Sequence, residues 1–185
     1  MGKYAPRNDQ GKHRIARGDP RAIALLKQEH HRFRTLFDAA GDASGARRTT
    51  LAREICMRLG VHMAIEEELL YPALKPVIGE DEINEGIVEH DAGKKLMVEI
   101  ENLDGTEDLY EAKVHVLGEE TIHHIDEEDE DLFEDASAAH RAGRIDLDTL
   151  GDRLKARQTE LYDEIATTGD EGDTDEADAE EIPSA

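Results

Sequence analysis

Two stretches of this chain set a histidine and a glutamate four residues apart. They are His62 with Glu66 in HMAIEEELLYP and His124 with Glu128 in HIDEEDEDLFE. In a helix, residues i and i+4 share one face and lie about 6 Å apart along the axis. Both pairs sit inside apolar patterns of helical period, so each points a carboxylate and an imidazole into whatever the helix packs against. A buried carboxylate needs a partner, because burying an isolated charge costs several kcal/mol or more. That partner is either a cation on another segment or a bound metal.

Two further histidines fall on apolar stripes: His30 in Ile23, Leu26, His30, Phe33, Phe37, Ala40, and His90 in Ile83, Ile87, His90, Lys94 or Gly93, Met97, Ile100. The steps of three and four mark helices with one buried face. Glu29-His30 repeats as Glu89-His90. His62, Glu66, Leu70 and Tyr71 repeat as His124, Glu128, Leu132 and Phe133. The first helix pair and the second therefore read as copies. A second register exists on the fourth helix, His123 with Glu127, but the Leu-aromatic landmark downstream favours His124 with Glu128. Glu67, Glu68, Glu127, Asp129 and Glu130 read as solvated faces.

Any one of these histidines alone would more often be a satisfied core residue than a ligand. Four imidazoles and two carboxylates converging on one layer with no cation would leave many polar atoms unpaired, and a metal site resolves that. Mixed imidazole and carboxylate ligands suit iron, manganese or zinc. Six side chains exceed one tetrahedral zinc, whereas two ions about 3.5–4 Å apart and bridged by the carboxylates use the whole set. The ferritin type of di-iron bundle needs Glu-x-x-His on two helices. Only Glu120 with His123 fits that spacing here, so that reading fails.

The elements that must position these residues follow from pattern and punctuation. Asp19-Pro20 predicts a helix start, with Asp19 as N-cap and Pro20 at the first helical position. A second helix runs from about Ala46 to Leu74, stopped by Pro76 and Gly79. A third begins near Asp81. A fourth starts at Thr106, with Leu109, Val114, Leu117, His124, Glu128 and Leu132 inward, and ends at Gly143. Asp146 can cap a fifth, about Leu147 to Thr168. The expected fold is all-α: an up-down-up-down four-helix bundle with an additional C-terminal helix and a disordered acidic tail. By domain, residues 1–18 read as a loose basic arm holding His13, 19–142 as the bundle, 143–168 as the extra helix and 169–185 as the tail.

The 185 residues carry a net charge of -23, with 38% apolar and 36% charged. Such a surface repels nucleic acid and anionic membranes, which bind neutralising cations. A single cysteine, Cys56, excludes an internal disulfide. With no run of about 18 apolar residues and no apolar signal core, the expectation is a cytoplasmic protein without membrane segments. Protein partners are not legible.

In LLKQEHHRFRTLF, HMAIEEELLYPAL, VEHDAGKKL and HHIDEEDEDLF the chain resembles the hemerythrin-like HHE cation-binding family, over roughly Asp19 to Ala142. The resemblance implies two non-haem iron ions in a four-helix bundle, with His30 and His62 on one, His90 and His124 on the other, and Glu66 and Glu128 bridging. Oxygen-carrying hemerythrins have another histidine four residues after the third-helix ligand. Lys94 stands there, so a neighbouring carboxylate or water takes that place, or a position stays open, or Lys94 snorkels outward. The implied function is to bind iron and a small ligand such as O2, NO or peroxide, for sensing, storage or detoxification. The alternatives are a di-iron enzyme turning over peroxide or NO, and a metal-free helical interaction module. Tyr71, one turn beyond Glu66, is a candidate to line the pocket.

Overall fold

In the computed structural model, which describes residues 15–171 with side chains through residue 168, every regular element is helical. In order these are α1 (Arg21–Asp42), α2 (Gly45–Ile65), α3 (Tyr71–Ile78), α4 (Asp81–Glu101), α5 (Tyr110–Glu127), α6 (Phe133–Arg141) and α7 (Leu147–Glu171). Two π-helical turns, Glu66–Leu70 and Glu128–Leu132, join α2 to α3 and α5 to α6 without a break. The bundle thus has four rods: α1, α2 with α3, α4, and α5 with α6. The first rod packs on α2 and α5, and α4 packs on the same two. The added helix α7 lies mainly along α1 and α2. This is the expected all-α four-helix bundle with an extra C-terminal helix. His13, most of the arm and nearly all of the acidic tail lie outside the described residues.

The apolar interior divides into two clusters. One contains Phe33, Phe37, Ile55, Leu59, Met97 and Leu117; the other contains Ile23, Leu26, Leu70, Leu74, Ile83 and Phe133. On α1, His30 falls between Leu26 of one cluster and Phe33 of the other. On α4, His90 falls between Ile83 and Met97. The histidines therefore occupy a polar layer in mid-bundle, closed at both ends by apolar packing.

Several helix ends differ from the sequence expectation, each for a local reason. Asp19 does not cap α1: its carboxylate accepts the Ala16 N–H at 2.8 Å and faces Lys27 at 3.5 Å, and Pro20 is the boundary residue. Helix α5 begins at Tyr110 rather than Thr106, because Asp104 and Glu107 take up the backbone N–H groups of residues 104 to 106 in a turn. Leu109 is consequently outside the helix and 64% exposed. Pro76 does not stop the second rod, which continues to Ile78. Asp146 caps α7 as expected, accepting the N–H groups of Asp148 and Thr149 at 3.0 Å each. Where α7 crosses α1, a Cβ on Gly151 would collide with the backbone of Arg21 and Ala22, so close approach of the two helices requires glycine there.

Candidate metal centre

Both π turns begin at the glutamate of a His-x-x-x-Glu pair. The N–H of Tyr71 bonds the carbonyl of Glu66, and the N–H of Phe133 bonds that of Glu128. An i→i+5 bond stacks residue i+5 over residue i, so each bulge brings the aromatic onto the face of its glutamate. Pro72, which has no N–H to restore an α-helical bond, follows the first bulge directly. The second bulge has no proline, so the glutamate-aromatic spacing is their shared feature. Phe133 stacks on His30 with rings 5.5 Å apart. The Tyr71 hydroxyl donates to Glu128 Oε1 at 2.9 Å and lies 3.3 Å from His90 Nε2.

All six sequence-predicted residues come together in the core: His30, His62, Glu66, His90, His124 and Glu128 are buried. The Nε2 atoms of the four histidines face the carboxylates. His62 Nε2 lies 3.2 Å from Glu66 Oε1 and His90 Nε2 3.5 Å from Glu66 Oε2. His30 and His124 Nε2 lie 3.3 and 3.7 Å from Glu128 Oε2. His90 and His124 bring their Nε2 atoms within 3.0 Å of each other. The alternative register is turned outward, with the His123 side chain 68% exposed beside Glu127.

Among the described residues three sets of donor atoms are close enough to hold an ion: the buried His30, His62, Glu66 and Glu128, the buried Glu66, His90 and His124, and the more exposed Glu89, His123 and Glu127. Glu66 belongs to both buried sets. The residues fit a metal on a direct observation. Both oxygens of Glu66, Oε2 of Glu128, Nε2 of His30 and both ring nitrogens of His62 are buried with no hydrogen-bond partner. Orphaned polar atoms of this kind are rare in proteins and costly, and here they are concentrated in one layer.

The outer faces of three rings are satisfied by carboxylates. Asp129 Oδ1 lies 2.8 Å from His30 Nδ1, Glu67 Oε1 2.8 Å from His90 Nδ1, and Glu89 Oε2 2.7 Å from His124 Nδ1. Such partners orient an imidazole and raise its basicity as a ligand. The solvated reading of Glu67 and Asp129 is therefore corrected. Asp129 is buried and pairs with Arg34 at 3.3 Å, and Glu67 is half-buried between His90 and Lys94. The signal missed was Arg34, four residues after His30 on the buried stripe, which requires a carboxylate opposite. Lys94 does turn outward: its side chain is 40% exposed and its ammonium bonds both oxygens of Glu67 at 2.6 Å.

Electrostatics follow from this arrangement. Burial and the charge of Glu128 push the Glu66 carboxyl well above its ordinary range. Burial also resists the charge on Glu128, but His124 and His30 outweigh it and hold that carboxyl low. For His30, burial is overcome by Asp129 and then Glu128, which raise it to about 9. Burial and the neighbouring His30 drive His62 well down, and burial with His124 lowers His90 to about 4.

A helical bundle with this histidine-carboxylate layer defines a protein of the metal-binding four-helix type. The profile of the Hemerythrin HHE cation binding domain matches residues 21–136. The chain belongs to the hemerythrin HHE cation-binding family. No curated protein and no solved structure matches it. Among the described residues, no helix is long and apolar enough to cross a membrane.

Proposed function

We propose that this chain is a non-haem di-iron protein that binds a small ligand such as O2, NO or peroxide, for sensing, storage or detoxification. His30 and His62 would hold one ion, His90 and His124 the other, with Glu66 and Glu128 between them. The bundle of residues 19–142 carries the centre, and 143–168 adds a helix against its side. The observation that carries this reading is the set of buried, unpartnered nitrogen and oxygen atoms aimed into one layer. A metal-free interaction module leaves that set uncompensated.

Ferrous iron held by these residues would supply the electrons for binding or reducing a small ligand. The chain's own residues do the rest. Asp129, Glu67 and Glu89 fix the ring orientation of His30, His90 and His124. The Tyr71 hydroxyl holds a proton at Glu128 Oε1, at the edge of the layer. A cavity of about 240 Å³ reaches His62 and His90 past Leu59, Met63 and Gly93. Glu89, Glu119, Glu120 and Thr121 also line it, and its size suits a small ligand. In this chain a Cβ on Gly93 would stand 3.0 Å from Met63 Cε, so glycine keeps that passage clear.

A second reading, turnover of peroxide or NO at the same centre, draws on the buried Tyr71 proton and on Lys94 standing where oxygen carriers place a histidine. Anaerobic loading with ferrous iron, metal analysis and an optical spectrum after oxidation test the first reading. The expected result is two irons per chain with oxo-bridge absorption. Loading well below that, without the absorption, removes it. Catalytic consumption of peroxide by the loaded protein, lost in Tyr71→Phe, would favour turnover over stoichiometric binding.

A further inference from the structure

A second cleft approaches the same layer from another side, between α4 and the rod formed by α5 and the π turn Glu128–Leu132. Its cavity measures about 120 Å³, and a water needs only about 10–15 Å³, so several waters or a partly hydrated ion fit. Glu82, Glu85 and Asp131 line it, and no lysine or arginine is among its lining residues. Its inner end is formed by His124 and by Glu128, whose buried Oε2 has no hydrogen-bond partner. The acids therefore lead to an unsatisfied acceptor rather than to a closed surface.

Two further features bear on this approach, the charge of the acids and the space in the wall. Burial, then Asp135, Asp131, Asp81 and Glu85, push the Glu82 carboxyl up from its ordinary value. Burial is the largest cause, and the neighbouring carboxylates add to it in the same direction. Gly86 stands in the wall, where a Cβ would lie 3.0 Å from the Tyr71 hydroxyl and 3.4 Å from His124 Cε1. Any larger residue on this inner face of α4 narrows the passage between the acids and the layer.

We infer that this cleft is the entry route for the metal: Glu82, Glu85 and Asp131 draw in a partly hydrated divalent cation, and Gly86 leaves it a path to His124 and Glu128. The route rests on the metal-centre reading above. The larger cavity beside Leu59 and Met63 also carries carboxylates, Glu89, Glu119 and Glu120, but of the two only the cleft has Glu128 in its lining. A cleft lined by one sign of charge with low-dielectric walls raises association rates by about 10–10³ and loses that advantage as salt is added.

The test is the rate at which the chelator-stripped full chain takes up cobalt(II), followed by the visible absorption of the ion as it enters. Three proteins are compared at low and high ionic strength: wild type, Glu82→Gln/Glu85→Gln/Asp131→Asn, and the control Glu160→Gln/Asp163→Asn/Glu164→Gln. The control changes net charge by the same amount on α7, which packs on α1 and α2. The cleft variant is expected to load about tenfold more slowly at low salt, to converge on wild type at high salt, and to reach the same final stoichiometry. The control should stay within about twofold of wild type. Equal slowing in both variants means that overall charge, not the cleft, attracts the ion, and overturns the route. Full loading at unchanged rates in the cleft variant overturns it as well while leaving the metal centre standing. A wild-type chain that takes up no ion removes the metal centre and the route together.

Discussion

Replacing Glu66 with methionine should stabilise the metal-free protein and abolish most of its response to metal. Glu66 is fully buried and neither of its carboxylate oxygens has a hydrogen-bond partner. Each unsatisfied buried group costs about 1–3 kcal/mol, and burial with Glu128 already disfavours the charged form of Glu66, so an apolar side chain of similar shape removes that cost. Methionine keeps the unbranched chain and adapts to irregular gaps. A gain of about 1–3 kcal/mol in chelator is therefore expected, or roughly 2–10 °C in Tm for a chain of this size. Ferrous or cobalt(II) ions at about 100 times Kd should stabilise wild type by about 2.7 kcal/mol per site. Because Glu66 belongs to both buried donor sets, the variant should keep only a fraction of that. Thermal or urea unfolding with and without metal reads both effects on one protein. A variant less stable than wild type in chelator would show that Glu66 is already satisfied without metal. A variant still stabilised fully by metal would show that Glu66 is not between the ions.

Three further perturbations follow from the same geometry. In chelator, His30 titrates near 9, against about 6.5 in an unfolded chain. Its contribution is complete below about pH 6.5 and is lost as pH rises through 9, up to about 3 kcal/mol. Urea denaturation from pH 6 to 10 should show that alkaline decline, reduced in Asp129→Asn; an unchanged slope would mean that Asp129 does not hold the proton on His30. Tyr71→Phe leaves Glu128 Oε1 without its donor and should cost about 1–3 kcal/mol in the metal-free state, while metal analysis still finds full loading; depleted metal would make Tyr71 part of the binding set. Gly151→Ala forces a Cβ into the α1 backbone and should destabilise by about 1–3 kcal/mol, with α7 amides losing hydrogen-exchange protection ahead of the bundle. Uniform loss of protection would mean that α7 and the bundle unfold as one unit.

Much of the site could be read from the chain because helical periodicity is local. Leu26, His30 and Phe33 share a face whatever surrounds them, and so do Leu59, His62 and Glu66. The internal repeat then paired His62 with His124 and Glu66 with Glu128, residues that the structure brings into one buried layer. The acidic runs were a different case. In the EEE of residues 66–68 and the DEEDED of residues 126–131 every position offers a carboxylate, and periodicity alone cannot say which is met by a neighbouring helix. Asp129 is buried because Arg34 and His30 of α1 stand opposite, and Glu67 because His90 and Lys94 of α4 do. On α4 the inward line runs through Gly86 and Gly93 rather than Ile87, which is 38% exposed. Two glycines therefore shape the cavities, and residues without side chains leave no mark in a hydrophobic pattern.

By itself the sequence determined four amphipathic rods, the histidine on each, and the carboxylate one turn after two of them, since each depends on spacing within a single helix. The repeat favoured His124 over His123, and the tertiary structure turns His123 outward; it alone decided that the bulges bring Tyr71 to Glu128 and Phe133 to His30. It also decided which outer carboxylates hold the rings and which cavities reach the layer. Those outcomes depend on contacts between helices far apart in the chain and on backbone bonds of i→i+5 type, and neither is encoded in the period of one strip of residues.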